Sequence, residues 1–156
     1  MRAYVAVVGP GPATAAEAQL AEAVGRGLGE AGAVIVCGGL GGVMEAACRG
    51  AKSAGGTTLG ILPGADRAEA NPYVDVAVPT GLGELRNGLV VRAADGLVAV
   101  GGEFGTLSEI ALALKAGKPV FALGGWELAR EGEPVDAIVR ATSPEDAVAR
   151  VLAACA

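Results

Sequence analysis

Apolar and polar positions along this chain follow two alternating periods. Short apolar runs, bounded by glycine, proline or charged residues, predict buried strands. Longer stretches in which apolar residues recur every three or four positions predict helices that pack on one face. The predicted strands are Tyr4–Val8, Val34–Cys37, Thr57–Leu62, Leu97–Val100 and Pro119–Leu123, with an edge strand at Tyr73–Val78 and a short last strand at Ile138–Val139.

Helices are predicted between and after these strands. Two of them have clear start signals, because Thr14 and Glu17 have the spacing of a capping box and Ser143 precedes a proline suited to the first helical position. Residues 65–72 form the longest predicted loop. The predicted helices are Ala15–Glu30, Val43–Ala54, Leu82–Ala93, a helix that begins near Thr106, and Ala147–Ala154.

Continuously apolar strands that alternate with helices are typical of an α/β fold. We predict a three-layer, doubly wound and mostly parallel sheet with helices on both faces, built by one domain over residues 1–156. In such folds, ligands bind beyond the carboxyl ends of the strands, where the strand order reverses. Glycine-rich turns at residues 9–12, 38–42 and 101–106 would all lie at that edge.

The pattern of the stretch Leu97–Ile110 predicts a strand, a glycine turn and a helix. Thr106 and Glu109 are three residues apart and are expected to face the turn. Free N–H groups at the start of a helix, together with the helix dipole, suit a phosphate. The helix also carries an apolar stripe that is predicted to pack on the sheet, made of Leu107, Ile110, Ala111 and Leu114.

A purely structural role for these residues is the alternative. Thr106 and Glu109 also have the spacing of a capping box, and glycines are ordinary in tight turns between strands and helices. The convergence of three glycine-rich turns on one edge favours the phosphate site.

Two charged positions on the predicted helices have two interpretations each. Arg86 is either a surface charge or an anion contact directed at the glycine loop that follows it, on a helix whose apolar positions are Leu85 and Leu89. Glu45 and Arg49 are four residues apart and predict an ion pair on the solvent side. The alternative for Glu45 is a role near a ligand.

Composition narrows the classes of function. Hydrophobic residues make up 52% of the chain and aromatic residues only 3%, so the core is built from small aliphatic side chains. A net charge of −5 argues against nucleic acid or a membrane surface as partner. The absence of histidine removes serine–histidine and cysteine–histidine nucleophile pairs, and no metal site is predicted. Dinucleotide and P-loop glycine motifs are also missing.

The cysteines and the hydropathy pattern indicate a cytoplasmic protein. Cys37, Cys48 and Cys155 are scattered and are expected to be reduced and buried. The first apolar segment is too short for a secretion signal, and no run approaches the ~18 apolar residues of a membrane span.

Several motifs, taken in order, resemble the Lonely Guy family, whose relatives include the molybdenum-cofactor carrier proteins. The resemblance rests on Gly38–Ala46, Arg49–Ala51, Gly60–Gly64, Arg86–Asn87 and Gly101–Glu109. It implies a Rossmann-like fold and a homodimer or homotetramer. Enzymes of this family hydrolyse the N-glycosidic bond of nucleoside 5′-monophosphates and require no cofactor.

The resemblance also implies roles for individual residues. Gly102, Gly105 and Thr106 would hold the phosphate, Glu109 would be the catalytic acid, and Arg86 would assist the departing base. The remaining residues expected to bind the ligand are Gly9, Gly38, Gly39, Gly41, Gly42, Met44, Glu45, Asn87 and Gly101.

The chain departs from the enzymes at three motif positions. Gly101 replaces a proline, Glu103 replaces a glycine, and Asn87 replaces a lysine; the two loop changes are closer to the carrier-like branch, which binds a phosphorylated pterin. The label lysine decarboxylase, long used for such proteins, is rejected because that chemistry needs pyridoxal phosphate in a far larger fold.

Three functions follow as hypotheses. The first is a phosphoribohydrolase acting on nucleoside 5′-monophosphates. The second is a non-catalytic carrier or sensor that binds molybdenum cofactor or a nucleotide. The third is an interaction protein whose glycine turns are only structural.

Overall fold

A computed structural model describes all residues of the chain, 1–156. Two short 3-10 turns occupy Arg67–Glu69 and Gly83–Arg86. The helices are α1 (Ala15–Glu30), α2 (Val43–Ser53), α3 (Asn87–Ala93), α4 (Phe104–Lys115) and α5 (Pro144–Ala154). The strands are β1 (Tyr4–Val8), β2 (Val34–Cys37), β3 (Thr57–Leu62), β4 (Val76–Pro79), β5 (Gly96–Val100), β6 (Val120–Leu123), β7 (Leu128–Arg130), β8 (Glu133–Val135) and β9 (Val139–Arg140).

Seven strands form one sheet in the order β4-β3-β2-β1-β5-β6-β9, and every pair in it is parallel. This architecture confirms the predicted Rossmann-like α/β fold. The chain moves outward from β1 to β4 and then returns to pair β5 with the other side of β1. The strand order therefore reverses between β1 and β5, and the turns that follow these two strands border the same crevice.

The core lies on both faces of the sheet. Successive strand residues point to opposite faces, so in β1 Val5 and Val7 pack under α1, α2 and α5, whereas Ala6 and Val8 pack under α3 and α4. Both faces are covered, which explains why the strands are continuously apolar rather than alternating.

Small residues let α1 and α2 pack closely. A Cβ atom on Gly25 would overlap the backbone of Ala47, and one on Gly50 would overlap the carbonyl of Glu22. Arg49 is held at the same interface, where its Nη2 atom lies 3.1 Å from Oε2 of Glu22. The predicted pairing of Arg49 with Glu45 is therefore wrong, because the close helix approach brings a carboxylate of the other helix within reach.

The buried face of α4 differs from the predicted stripe. Of the four stripe residues only Ile110 is fully buried, while Ala111 is exposed and Leu107 and Leu114 are half-buried. The buried face consists of Thr106, Glu109, Ile110 and Ala113. The helix is rotated so that two polar side chains point inward, which a pattern of apolar positions does not anticipate.

The helix predicted at Leu82–Ala93 is also divided. A 3-10 turn ends at Arg86, and α3 packs through Val90 and Val91 instead of Leu85 and Leu89, which are 77% and 41% exposed. This arrangement buries Arg86 and leaves the apolar side chains of Leu85 and Leu89 exposed on the surface.

Other differences are local. The edge strand begins at Val76 rather than at Tyr73, and the β7–β8 hairpin was not predicted because its strands are short and mostly exposed. All three cysteines are free; Cys37 and Cys48 are buried as expected, with their sulfur atoms 3.6 Å apart, but Cys155 is only half-buried. None of the helices has the length and apolar character needed to cross a membrane.

The α1–α2 packing predicts the effect of adding one methyl group. Gly50→Ala should lower the free energy of unfolding by about 1–3 kcal/mol in a urea titration, because the new Cβ meets a backbone carbonyl that cannot rotate away. Gly88→Ala on α3 is the control, since its Cβ would have open space and alanine favours helix. Equal stabilities for the two variants would contradict the close packing.

Candidate functional site

A small polar cavity of about 130 Å³ lies at the carboxyl edge of the sheet. It occupies the crevice between β1 and β5 where the strand order reverses. The turn after β1, the start of α2, the residues at the start of α3 and the first turns of α4 contribute to its wall. Its lining residues are Val7, Val8, Gly9, Pro10, Gly11, Gly38, Met44, Arg86, Asn87, Glu103, Gly105, Thr106 and Glu109.

Arg86 provides a buried positive charge in this wall. Its Nε atom donates to the carbonyl of Ile61 at 2.9 Å, one terminal nitrogen donates to the carbonyl of Gly38 at 3.4 Å, and the other donates to the side-chain oxygen of Asn87. These partners are neutral, and Arg86 takes part in none of the ion pairs of the chain. A buried cation without a carboxylate partner favours an anion in the cavity.

Gly38 is required for this placement of the arginine. A Cβ atom there would overlap the guanidinium of Arg86 and lie 2.8 Å from the sulfur of Met44. The glycine after β2 therefore acts by leaving space for a side chain that reaches the cavity from a different part of the sequence.

Glu109 brings a buried carboxyl group to the same cavity. It is 8% exposed and accepts no hydrogen bond from another side chain. Burial disfavours the charged form and raises the pKa of Glu109 to about 7, although the nearby charge of Arg86 acts in the opposite direction. The group can therefore hold or release a proton near neutral pH.

The first turns of α4 complete the wall. Glu103 is the N-cap residue, and its N–H donates to the hydroxyl of Thr106 at 3.3 Å. The capping spacing predicted for Thr106 and Glu109 is thus displaced by three residues, which leaves Glu109 free to face the cavity. Gly105 and Thr106 lie in the first turn, where the N–H of Thr106 donates to the side chain of Glu103 and the N–H of Gly105 has no partner within the helix.

Asn87 links the two sides of the cavity. Its amide nitrogen donates to the hydroxyl of Ser108 on α4 at 3.0 Å, while its oxygen accepts from Arg86. The residue that replaces the lysine of the enzymes thus connects the arginine to α4.

The structure brings eight of the fourteen predicted site residues together at one cavity. Those that line the cavity are Gly9, Gly38, Met44, Arg86, Asn87, Gly105, Thr106 and Glu109. The predicted residues that do not line it are Gly39, Gly41, Gly42, Glu45, Gly101 and Gly102.

Three of the predicted glycines outside the cavity have a structural reason to be glycine. Gly42 has a φ angle of 67° and lies against the carbonyls of Pro10 and Gly11. Gly101 has a φ angle of 64° and lies against the carboxylate of Glu17, and Gly102 lies under the indole ring of Trp126. Positive φ angles and close contacts account for glycine at these positions.

Sequence reasoning did not select five residues that line the cavity, namely Val7, Val8, Pro10, Gly11 and Glu103. Pro10 and Gly11 belong to the same predicted turn as Gly9, so they could have been found by selecting the whole turn and not Gly9 alone. Val7 and Val8 have the pattern of buried strand residues and give no such signal.

The fold and the cavity define a class of protein: a Rossmann-like α/β protein with a small polar cavity at the point where the strand order reverses. The chain belongs to the SLOG cluster4 family, whose family model matches residues 2–148. The resemblance to the Lonely Guy and molybdenum-cofactor carrier proteins is confirmed at this level.

Similar proteins cover most of the chain. An uncharacterised protein from Archaeoglobus fulgidus is 44% identical over 119 residues, which is 76% of this chain and 78% of that protein. The structure of the molybdenum cofactor binding protein from Rippkaea orientalis superposes with a TM-score of 0.88 at 35% identity, covering 98% of this chain and 97% of that one. The Moco carrier protein from Chlamydomonas reinhardtii gives a TM-score of 0.86 at 36% identity over 99% and 98% of the two chains.

Titration of Glu109 should be visible in the stability of the protein. Its pKa rises from 4.5 to about 7 on folding, so its protonated form stabilises the folded state below pH 4.5, and this contribution is lost as the pH rises through 7. The loss amounts to about 3 kcal/mol. Glu109→Gln, which keeps the neutral shape, should be the more stable protein at pH 8 and should show a smaller decrease between pH 5 and pH 8.

Urea unfolding of both proteins across this pH range measures the difference. Glu22→Gln, which removes an ion-paired carboxylate outside the cavity, provides the control for the loss of a negative charge. Parallel curves for wild type and Glu109→Gln would show that Glu109 titrates in its ordinary range.

Proposed function

We propose that this protein is a non-catalytic carrier that binds a phosphorylated small molecule, with molybdenum cofactor as the ligand. The observation that carries the proposal is the buried guanidinium of Arg86, which faces the cavity without a carboxylate partner. Two proteins support the choice of ligand. The protein from Rippkaea orientalis is a molybdenum cofactor binding protein, the one from Chlamydomonas reinhardtii is a Moco carrier protein, and each is similar to this chain over almost its whole length. We expect it to act in the cytoplasm as a homodimer or homotetramer.

The phosphate of the ligand is expected to lie between Arg86 and the first turn of α4. The guanidinium supplies charge-assisted hydrogen bonds, and the N–H of Gly105 in the first turn supplies a neutral donor at the positive end of the helix.

Two carboxyl groups line the same cavity and oppose an anion when they are ionised. Glu103 is exposed to solvent, which screens its charge, whereas Glu109 is buried. Because the pKa of Glu109 is already raised to about 7, a bound phosphate favours its protonated form. Ligand binding is therefore expected to take up a proton.

A second candidate, the phosphoribohydrolase, is favoured by Glu109 itself. A carboxylate close to the sugar of a nucleoside monophosphate could stabilise the positive charge that develops on the ribose as the glycosidic bond breaks, and could orient the attacking water. Arg86 would then assist departure of the base. The changes at Gly101 and Glu103 relative to the enzyme motif favour the carrier.

Removal of the buried charge tests the carrier. Arg86→Gln should weaken binding of molybdenum cofactor, released from a purified molybdoenzyme, by about 10- to 100-fold, because a hydrogen bond to a charged group contributes ~1.5–3 kcal/mol. Binding is measured by gel filtration with the pterin fluorescence and the molybdenum content of the protein peak. Arg92→Gln, which removes an exposed arginine from α3, the helix that follows Arg86, is the matched control. Undiminished binding by a folded Arg86→Gln variant would contradict the proposal.

Hydrolysis distinguishes the two candidates. The carrier is expected to release no free base from AMP, GMP, CMP or UMP above the level seen with Glu109→Gln, measured by chromatography after prolonged incubation. Release by the wild type that disappears in Glu109→Gln would instead establish the phosphoribohydrolase.

A further inference from the structure

Arg86 has more hydrogen-bond donors than the protein itself uses. An arginine side chain carries five N–H donors and no acceptor. Three of the donors of Arg86 are bonded within the protein, to the carbonyls of Ile61 and Gly38 and to the side-chain oxygen of Asn87. Two therefore remain, one on each terminal nitrogen, and two oxygen atoms of one phosphate or carboxylate group can accept them as a pair. The orientation of the guanidinium plane then determines whether both reach a ligand.

Asn87 is the only side chain that accepts a hydrogen bond from Arg86. It is buried and lines the same cavity. Because arginine only donates, Asn87 has to present its oxygen, and not its amide nitrogen, to the guanidinium. The orientation of the Asn87 amide therefore fixes one terminal nitrogen of Arg86.

Ser108 determines the orientation of this amide from the other side. Its hydroxyl donates to the carbonyl of Gly105 at 2.6 Å. A hydroxyl has one hydrogen, so the oxygen of Ser108 can only accept from Asn87, whose amide nitrogen lies 3.0 Å away. The reverse orientation of the amide would bring two acceptors together at Ser108 and two sets of donors together at Arg86. Only one orientation satisfies every group.

These hydrogen bonds form a chain with one direction. Arg86 donates to Asn87, and Asn87 donates to Ser108, whose hydroxyl donates to a carbonyl in the first turn of α4. That carbonyl belongs to Gly105, whose N–H has no partner within the helix and is the neutral donor of the proposed phosphate site. The chain contains no carboxylate, so it holds the guanidinium in place next to this turn without forming an ion pair.

We propose that Asn87 and Ser108 are positioning residues of the anion site, which orient the guanidinium of Arg86 so that its two remaining donors face a ligand with two oxygen acceptors. This inference rests on the proposed function and deepens it, because it names the ligand class as oxyanions that accept a pair of hydrogen bonds, such as phosphomonoesters. It also changes the predicted role of Asn87, from a residue that binds the ligand to one that acts through Arg86.

Substitution of Ser108 tests the chain without altering the cavity wall, because Ser108 does not line the cavity. Ser108→Ala should weaken binding of molybdenum cofactor and of ribose 5-phosphate by about three- to tenfold, the size of effect expected for one lost hydrogen bond. Ser108→Thr, which keeps the hydroxyl, should retain the affinity of the wild type. Binding is measured by gel filtration for the cofactor and by isothermal titration calorimetry for ribose 5-phosphate.

Ser53→Ala is the matched control for this substitution. The hydroxyl of Ser53 donates to the carbonyl of Gly50 at 2.7 Å, which is the same bond to a residue three positions earlier that Ser108 makes. Ser53 lies on α2, outside the cavity, so its loss should leave ligand affinity unchanged. Equal affinities of wild type, Ser53→Ala and Ser108→Ala would overturn the inference.

A double-mutant cycle tests whether Ser108 acts through Asn87. Asn87→Ala should weaken binding by itself, and adding Ser108→Ala to it should cause no further loss, because the amide that Ser108 orients is already gone. A further loss as large as that of Ser108→Ala alone would overturn the inference, since Ser108 would then act on the site independently of Asn87.

Asn87→Asp distinguishes positioning from a purely structural role. The change keeps the shape of the side chain but places a carboxylate next to the guanidinium of Arg86. Affinity for ribose 5-phosphate should fall at least tenfold, while the urea midpoint of the ligand-free protein should not decrease, because a buried arginine gains an ion-pair partner. A decrease of both would assign Asn87 a structural role only and overturn the inference, and so would an unchanged affinity.

Failure of the inference differs from failure of the proposed function. If wild type binds molybdenum cofactor and Arg86→Gln does not, the phosphate site stands, and the variants of Asn87 and Ser108 decide the inference. If wild type binds neither the cofactor nor ribose 5-phosphate, the proposed carrier function fails, and the positioning roles fail with it.

Discussion

The buried guanidinium of Arg86 is the constraint on which the site depends. Its hydrogen bonds join β3 through the carbonyl of Ile61, the turn after β2 through Gly38, and α3 through Asn87. These contacts fix its position but none of them is an ion pair, and the nearby carboxyl group of Glu109 is only partly ionised near neutral pH, because burial raises its pKa to about 7. A folded protein tolerates such a buried charge when a counter-ion can reach it. The fold thus places a buried positive charge at the point where the strand order of the sheet reverses, which is the basis of the proposed anion site.

Glu109 lies in the same cavity, but unlike Arg86 it can lose its charge near neutral pH. Burial disfavours its charge, and Arg86 only partly compensates for that cost. A protonated Glu109 removes a negative charge from the cavity, as the proposed carrier requires, whereas an ionised Glu109 would provide the carboxylate that hydrolysis requires. One pair of residues can therefore serve either binding or hydrolysis, and the residues around it, Asn87 and Glu103 among them, decide which.

Much of the fold could be predicted from the sequence because its strands are continuously apolar and its helices have clear caps. The start of α1 and the start of α5 followed from the side chains of Thr14 and Ser143. Prediction failed where burial depends on tertiary contacts. The inward face of α4 contains Thr106 and Glu109, and Leu85 is exposed while its neighbour Arg86 is buried, which the apolar pattern does not indicate.

The grouping of the predicted site residues followed only in part from the sequence. Motifs led to Arg86, Glu109 and the glycine turns, and the structure brings the two charged residues to one cavity together with three of the eight predicted glycines. The pairing of Arg49 with Glu22 and the contact between Gly38 and Arg86 join residues far apart in the sequence, so spacing along the chain could not indicate them.

The most direct test of the central claim is a crystal structure of the protein soaked with molybdenum cofactor. The predicted result places the phosphate within about 3 Å of the guanidinium of Arg86 and of N–H groups in the first turn of α4. A phosphate bound elsewhere on the protein, with the cavity between β1 and β5 filled only by water, would contradict it.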